Sequence, residues 1–225
     1  MKMDKKKQTW LAFLLVAAIL IIDQIVKILV KTNMVIGEDI PLIGSWCRLH
    51  FTENEGFAFG MALGGSTGKI ILSLFRIIAS GVLVWIILDQ VKKGARTSFI
   101  VCLSLILAGA FGNLIDSCFY GLIFNDGYYQ VATLFPPEGG YAPFLHGKVV
   151  DMFYFPIFEF DWPSWVPFVG GNHFEFFSAI FNIADAAITI GVIWLIVELV
   201  FFQKKKENDE ETEKNIETEV AENQL

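Results

Sequence analysis

The sequence predicts a polytopic α-helical membrane protein with four transmembrane helices and short strands outside the bilayer. Hydrophobic residues make up 54% of the 225-residue chain, and mean hydropathy is +0.54. Soluble domains usually contain about 45–50% apolar residues. Four apolar runs are long enough to cross a bilayer as helices. The predicted spans are residues 10–30, 70–88, 99–115 and 178–202.

Basic clusters flank these spans in one consistent arrangement. They are Lys5–Lys7, the Lys92–Arg96 loop and Lys204–Lys206. The positive-inside rule places all three in the cytoplasm. Both termini are then cytoplasmic, and the two long segments between spans, 31–68 and 117–177, are extracytoplasmic.

The net charge of −7 comes from the C-terminal tail, residues 207–225, which carries eight acidic side chains and one lysine. Its high charge and few apolar residues predict a disordered cytoplasmic tail. The rest of the chain is about neutral, with no basic surface of the kind that binds nucleic acid. Residues 1–206 are therefore predicted to form the membrane core.

The first span follows a basic N-terminus, as a secretory signal peptide does, but it is too long and lacks a small-residue cleavage site. Asp23 and Lys27 lie four residues apart with the acid first, the order favoured for an intrahelical ion pair. We expect both near the outer end of the helix, where Lys27 can extend to the interface. The pair either neutralises its own charges or helps to hold an active site.

The first extracytoplasmic segment contains a predicted strand, because apolar and polar residues alternate from Cys47 to Thr52. The strand leads into Asn54-Glu55-Gly56, followed by Gly60. On its own this motif favours a glycine turn between strands. The functional alternative is that Gly56 lets the backbone approach a ligand while Asn54 donates and accepts hydrogen bonds.

The second and third spans differ in polar content. The second is interrupted by Ser73, Arg76 and Ser80, and the third ends in Gly112-Asn113-Leu114-Ile115-Asp116. The small residues near that end permit close helix contact. Capping or a local hydrogen bond is the ordinary explanation for Asn113 and Asp116 at an outer helix end.

The second extracytoplasmic segment is rich in aromatic residues, and Trp162 and Trp165 suit a membrane-interface belt. Within it, residues 148–155 predict a short strand ended by Pro156. Asp151 lies in this strand among apolar residues. This placement weakens the alternative that Asp151 is simply exposed to solvent.

The fourth span begins with Asn182 and Asp185, three residues apart and so on one helix face. We expect Asp185 about two turns into the helix. An ionisable side chain there costs about 2.5–3.5 kcal/mol and marks a functional-site candidate. The alternative is a hydrogen-bonded pair between helices.

Asp151 and Asp185 could meet at the outer membrane surface and act as a dyad. Two close carboxyls cannot both ionise readily, so one keeps its proton. The charged carboxyl can activate water while the neutral one protonates a carbonyl, which is aspartic-protease chemistry. No serine lies in a nucleophile motif, no metal-ligand pattern occurs, and no cofactor is predicted.

The ordered motifs together resemble the signal peptidase II (lipoprotein signal peptidase) family over about residues 10–200. The resemblance rests on Asp23-Gln24-x-x-Lys27, Asn54-x-Gly56-x-Ala58-Phe59-Gly60, Gly112-Asn113-x-x-Asp116, Val149-Val150-Asp151 and Phe181-Asn182-x-Ala184-Asp185-Ala186-Ala187-Ile188.

The resemblance implies a bacterial inner-membrane aspartic endopeptidase with four helices and a small extracytoplasmic β-sheet cradle. It would cleave prolipoproteins before a diacylglyceryl-modified cysteine and bind globomycin-type inhibitors, acting as a monomer in contact with membrane lipids. Asp151 and Asp185 would be catalytic. The residues implied to bind substrate or support the site are Asp23, Lys27, Asn54, Gly56, Asn113, Asp116 and Asn182.

Two features depart from the family pattern. Ser117 stands where the family usually has arginine, so any ion pair made by that arginine must be replaced or absent. The stretches 117–147 and 157–177 are longer than usual and are predicted lid or interface elements. The sequence leaves open whether Cys47 and Cys118 form a disulfide.

Two other classes of function fit the sequence less well. A transporter should have polar residues along a path near the bilayer midplane, whereas here they cluster at the outer ends of the spans. A non-catalytic membrane scaffold would tolerate Asp→Asn at both 151 and 185.

Overall fold

The computed structural model describes residues 3–55 and 65–201. The chain order is α1 (Lys5–Lys31), β1 (Asp39–Ile43), β2 (Cys47–Asn54), α2 (Gly65–Lys93), α3 (Thr97–Ile115), a π-helical turn (Asp116–Tyr120), α4 (Gly121–Ile123), β3 (Val149–Tyr154), β4 (Phe158–Asp161), β5 (His173–Phe176), β6 (Ile180–Phe181) and α5 (Ile183–Phe201).

In the described part of the chain, four helical runs are long and apolar enough to cross a membrane, which confirms the predicted four-span architecture. They are α1, most of α2, the continuous helix Thr97–Ile123, and α5. Large apolar side chains such as Phe13, Ile78 and Trp85 are exposed along them. These side chains suit contact with lipid, where apolar surface carries no hydration cost.

One end of the bundle joins the start of α1, the α2–α3 turn and the end of α5. Lys5 Nζ donates to the Lys92 carbonyl oxygen at 2.7 Å, and Gln8 Nε2 donates to that of Ala95 at 3.0 Å. Ser98 Oγ donates to a Glu198 carboxylate oxygen at 2.7 Å. The basic loop and the start of the first helix therefore lie at the same end of the bundle, as the positive-inside argument requires.

The opposite end carries an antiparallel sheet with strand order β1-β2-β3-β6. The strands predicted around residues 47–52 and 148–155 are confirmed as β2 and β3, and Thr52 pairs with Asp151. Buried side chains join this sheet to the ends of α1 and the third helix; they are Val30, Met34, Phe51, Tyr120, Phe124, Ala132, Val150 and Met152. The sheet is thus fixed onto the helix ends.

The third helix does not end at residue 115 as predicted. It continues through the π-helical turn and α4 to Ile123, because residues 118–123 are mostly apolar and Tyr120 is buried against the sheet. Asn113 and Asp116 therefore lie inside a continuous helical run. π-helical turns are rare and occur frequently at functional sites.

The fourth helix begins at Ile183, five residues later than predicted. Ile180 and Phe181 form β6 and pair with Tyr154 and Phe153. Apolar content alone does not distinguish a short buried strand from the first turn of a helix. Asp185 consequently lies in the first turn of α5 and not two turns inside it.

Two glycines bring α3 against α5 and α1. A Cβ on Gly109 would lie 2.1 Å from the Ala184 carbonyl oxygen. A Cβ on Gly112 would lie 2.8 Å from Asp23 Oδ2 and 2.9 Å from the Ala184 Cβ. Only glycine permits this approach, and it brings the polar residues of three helices together.

The three cysteines are buried and free. Cys47 lies in β2 and Cys118 in the π-helical turn, so the structure contains no disulfide between them.

Candidate active site

A cavity of about 490 Å³ opens where the sheet meets the helices. Its polar wall is formed by Asn54, Arg76, Asn113, Asp151 and Asp185, which come from five different elements. Apolar side chains form the rest: Phe75, Ala79, Leu83, Ile106, Ala110, Val149, Ile180 and Ile188. The two aspartates predicted to form a dyad therefore face one cavity that also has an apolar wall between helices.

Asp151 is held in β3 and is 2% exposed. Its Oδ1 accepts a hydrogen bond from Asn182 Nδ2 at 2.6 Å, and its Oδ2 accepts one from Asn54 Nδ2 at 3.2 Å. Burial, and next the negative charge of Asp185, raise the pKa of Asp151 to about 7. Asp151 can therefore keep a proton at pH values where an ordinary aspartate is ionised.

Asp185 lies in the first turn of α5, where Asn182 caps the helix. Asn182 Oδ1 accepts from the Asp185 backbone N–H at 2.9 Å, and Asp185 Oδ2 accepts from the Asn182 N–H at 3.3 Å. This is the reciprocal pattern of a capping box. A helix N-terminus stabilises negative charge, so the position suits an ionised carboxylate.

Asn113 links the dyad to α1. Its Nδ2 donates to Asp185 Oδ1 at 2.7 Å, while its Oδ1 accepts from Lys27 Nζ at 2.9 Å and from Asn182 Nδ2 at 3.1 Å. An ammonium group can only donate, so Lys27 fixes which end of the amide faces Asp185. Both carboxyls are thus oriented by amides that are themselves held in place.

Lys27 lies between two carboxylates, 3.0 Å from Asp23 Oδ2 and 2.8 Å from Asp116 Oδ2. It is fully buried, so the expectation that it extends to the interface is wrong. The structural reason is that Asn113 and Asp116 lie inside α3 and its continuation, within reach of the ammonium group.

The two carboxylates beside Lys27 also hold the elements that carry the dyad. Asp23 Oδ1 accepts from the Ala184 N–H at 2.9 Å, at the start of α5. Asp116 Oδ2 accepts from the Val150 N–H at 3.3 Å, next to Asp151. Both explanations left open for the Asp23–Lys27 pair are therefore compatible with the geometry. Asp116 acts across elements and does not cap its own helix.

Sequence reasoning assigned no role to three contributors, Gln24, Tyr120 and Arg76. Gln24 Nε2 donates to Asp116 Oδ1 at 2.9 Å, and Tyr120 Oη donates to Gln24 Oε1 at 3.1 Å. Arg76 was noted in the second span but given no role. The available signal was the same for Gln24 and Arg76, since each is a strongly polar residue inside an apolar span.

Gly56 lies outside the described residues. Among those that the structure describes, no group of three or more His, Cys, Asp or Glu side chains could hold a metal ion.

Comparison with known proteins adds independent findings. The family described as Signal peptidase (SPase) II matches residues 15–201. The chain is 50% identical over 184 residues to the lipoprotein signal peptidase of Porphyromonas gingivalis, covering 81% of this chain and 80% of the relative. It is 32% identical over 222 residues to that of Amoebophilus asiaticus, covering 97% and 88%.

The fold is also similar to a solved structure described as a bacterial membrane enzyme, determined by the in meso method at 2.3 Å resolution. The TM-score is 0.56 at 28% sequence identity, and the match covers 87% of this chain and 90% of that one.

Proposed function

The chain belongs to the signal peptidase II family, and from this premise we propose that Asp151 and Asp185 are its catalytic pair. The protein is a membrane-bound aspartic endopeptidase that removes signal peptides from prolipoproteins. The observation that carries the site proposal is that two carboxyls from separate elements, β3 and α5, face one cavity and are joined through shared amides.

The proposed reaction uses the two carboxyls in opposite protonation states. Asp185 takes a proton from a water molecule while the water oxygen attacks the scissile carbonyl carbon. At the same time, Asp151 gives its proton to the carbonyl oxygen. The tetrahedral intermediate then collapses. The C–N bond breaks, the leaving nitrogen takes the proton from Asp185, and the proton on the former carbonyl oxygen returns to Asp151.

The lining of the cavity supports the proposal that the substrate is a lipid-modified peptide. The polar carboxyl end suits a peptide bond and a water molecule, while Leu83, Ile106 and Ile188 line an apolar wall between spanning helices. A diacylglyceryl-modified cysteine joins a peptide to two acyl chains, so we propose cleavage just before that cysteine. Globomycin-type inhibitors would occupy the same cavity and contact the dyad.

We assign the sheet end of the bundle to the outer face of the bacterial inner membrane and both termini to the cytoplasm. The basic residues Lys5, Lys92 and Arg96 support this orientation because they lie at the opposite end of the bundle. We also propose that residues 1–206 are the protease core and that the acidic residues 207–225 are a cytoplasmic tail. That tail lies outside the described residues.

The hairpin β4–β5 is proposed to contact membrane lipids. It carries stacked aromatic rings, including Phe158 over Phe176 at 4.8 Å, and its turn exposes Trp165 and Phe168. Aromatic side chains are favoured at the membrane–water interface. We propose that the protein acts as a monomer, as the family resemblance implies.

A lid over the site in residues 117–147 stays a prediction. Residues 117–123 continue the third helix, and backbone hydrogen bonds hold the following loop to it, as from the Ala142 N–H to the Gly121 carbonyl oxygen at 2.9 Å. Any closing movement of this segment would have to break such contacts.

Cleavage of a diacylglyceryl-modified prolipoprotein by purified full-length protein tests the catalytic pair. Asp151→Asn and Asp185→Asn each keep size and polarity but remove the titratable carboxyl. We expect each to lose at least about 100-fold in kcat, the lower range for a general acid or base. Asp161→Asn is the matched control, because Asp161 is exposed on the hairpin.

The folded state of each variant is checked by thermal unfolding. If a folded Asn variant at 151 or 185 cleaves at near the wild-type rate, that aspartate is structural and the dyad is rejected. Asp116 would then be the next candidate.

A further inference from the structure

Arg76 is a charged residue well inside a spanning helix. It lies nine positions after Thr67, where the spanning part of α2 begins, or about 14 Å along the axis at 1.5 Å per residue. Charged side chains at such depths are costly and usually face a bundle interior or cavity. Arg76 does so, because its side chain lines the cavity that contains Asp151 and Asp185.

The guanidinium is held from the opposite wall. Arg76 Nη1 donates to Ser117 Oγ at 2.9 Å, and Ser117 Oγ donates to the Asn113 carbonyl oxygen at 2.9 Å. Ser117 itself is 2% exposed. The arginine therefore points into the site and not toward the membrane surface. Arg76 extends from α2 and contacts Ser117, the residue of the third helix that stands where the family resemblance leads one to expect an arginine.

Without Arg76, negative charge would be in excess around the cavity. Lys27 is bound between Asp23 and Asp116 and offsets only one of those two charges. Arg76 interacts electrostatically with Asp185, Asp116 and Asp151. Among the described residues that line the cavity, it is the one cation.

We infer that Arg76 is a positioning residue for the dyad, supplying the positive charge that keeps one of its two carboxyls ionised inside the membrane. The need is greatest once substrate has displaced water, because charge interactions strengthen as the local dielectric falls. The inference rests on the proposed catalytic pair.

The sign of the effect follows directly. A nearby cation favours the ionised form of a carboxyl and so lowers its pKa. If the cation is removed, both proton losses of the dyad move to higher pH. The singly ionised dyad that performs the reaction then exists over a more alkaline range.

The test is the pH profile of kcat/KM for cleavage of a diacylglyceryl-modified prolipoprotein. We expect Arg76→Gln to move both limbs of the profile to higher pH, by about one pH unit, and Arg76→Lys to leave them in place. Lys93→Gln, which removes an exposed cation at the other end of α2, is the matched control. A rate loss in Arg76→Gln that is uniform across pH would overturn the inference.

A double variant protects the test against misfolding. Arg76→Ser combined with Ser117→Arg presents the guanidinium from the third helix and not from α2. We expect it to fold and to keep both limbs at the wild-type position even if Arg76→Gln does not accumulate. A folded double variant with alkaline-shifted limbs would overturn the inference.

The experiments can reject the proposal for the catalytic pair and the inference about Arg76 separately. Inactive Asp151→Asn and Asp185→Asn with an unshifted Arg76→Gln profile would reject the role of Arg76 and keep the catalytic pair. Active Asn variants would reject the pair itself.

Discussion

At the residue scale, the proposed chemistry depends on keeping one buried carboxyl neutral beside another that is charged. Asp151 has two amide donors, from Asn54 and Asn182, but is almost wholly removed from water. Desolvation outweighs those hydrogen bonds and raises its pKa to about 7. The same burial that gives Asp151 a proton to donate makes its ionised form unfavourable in the folded protein.

Removing this carboxyl should therefore change stability in a pH-dependent way. The folded-state pKa of Asp151 is about 7 against an ordinary 3.8, so the folded protein binds the proton more tightly than the unfolded chain. Its stability contribution is present at low pH and is lost as pH rises from about 4 through about 7. Asp151→Asn cannot ionise, so its Tm relative to wild type should rise between pH 5 and pH 8.

Relative to wild type, the unfolding free energy of Asp151→Asn should rise by a few kcal/mol at most, because each pH unit of pKa difference corresponds to about 1.4 kcal/mol. It is measured by thermal unfolding in detergent at both pH values. Asp126→Asn serves as the exposed control here, because its carboxylate accepts a hydrogen bond from the Tyr128 backbone N–H, and its Tm difference from wild type should change little with pH. A pH-independent Tm difference for Asp151→Asn would contradict the assigned pKa.

The individual site residues were predictable from the sequence to different degrees. Asn182 and Asp185 could be placed on one helix face because their spacing matches the helical repeat. The contacts of Asn113 with Lys27 and Asp185 could not, because they join positions 86 and 72 residues apart. Arg76 could be noted as a charge inside an apolar span, but its contact with Ser117 could not be predicted, because the two residues are 41 positions apart.

At the scale of the elements, the site depends on how closely α3 approaches α5. Gly109 and Gly112 allow that contact, and it places the first turn of α5 beside Asn113. The sequence indicated close packing through its small residues but not which helices would meet there. The boundary errors have a related cause: the apolar content of β6 and of residues 118–123 is compatible with either a strand or a helix.

Gly109→Ala tests this packing. The added Cβ would lie 2.1 Å from a backbone oxygen of α5, so α5 must shift and carry Asp185 with it. We expect a loss of about 1–3 kcal/mol in unfolding free energy, as in overpacked cores, together with reduced cleavage. Thermal unfolding and the cleavage assay measure the two effects.

Gly81→Ala is the matched control, because a Cβ at that helical position meets nothing within 4 Å. It should be neutral or slightly stabilising, since alanine favours helix over glycine. A Gly109→Ala protein with wild-type Tm and turnover would contradict the close α3–α5 contact.

At the scale of the whole molecule, four spans and one orientation could be predicted because bilayer thickness and loop charge act on long stretches of chain. The assembly of the sheet could not, because β2 and β3 pair residues nearly one hundred positions apart, such as Asn54 with Val149 and Thr52 with Asp151. The catalytic proposal depends on this assembly, since the sheet brings Asp151 to the end of the bundle where Asp185 begins α5. The same proposal requires that end of the bundle to face the outside.

Cysteine labelling in intact cells tests that orientation. The three native cysteines are buried, so a membrane-impermeant thiol reagent should report mainly on introduced sites. Tyr129 is 98% exposed beside the sheet, and the Lys93 side chain is 66% exposed at the other end of the bundle. We expect Tyr129→Cys to react in intact cells and Lys93→Cys only after permeabilisation. The reverse pattern would place both aspartates on the cytoplasmic side, where signal peptides of exported lipoproteins do not present their cleavage site, and would contradict the proposed function.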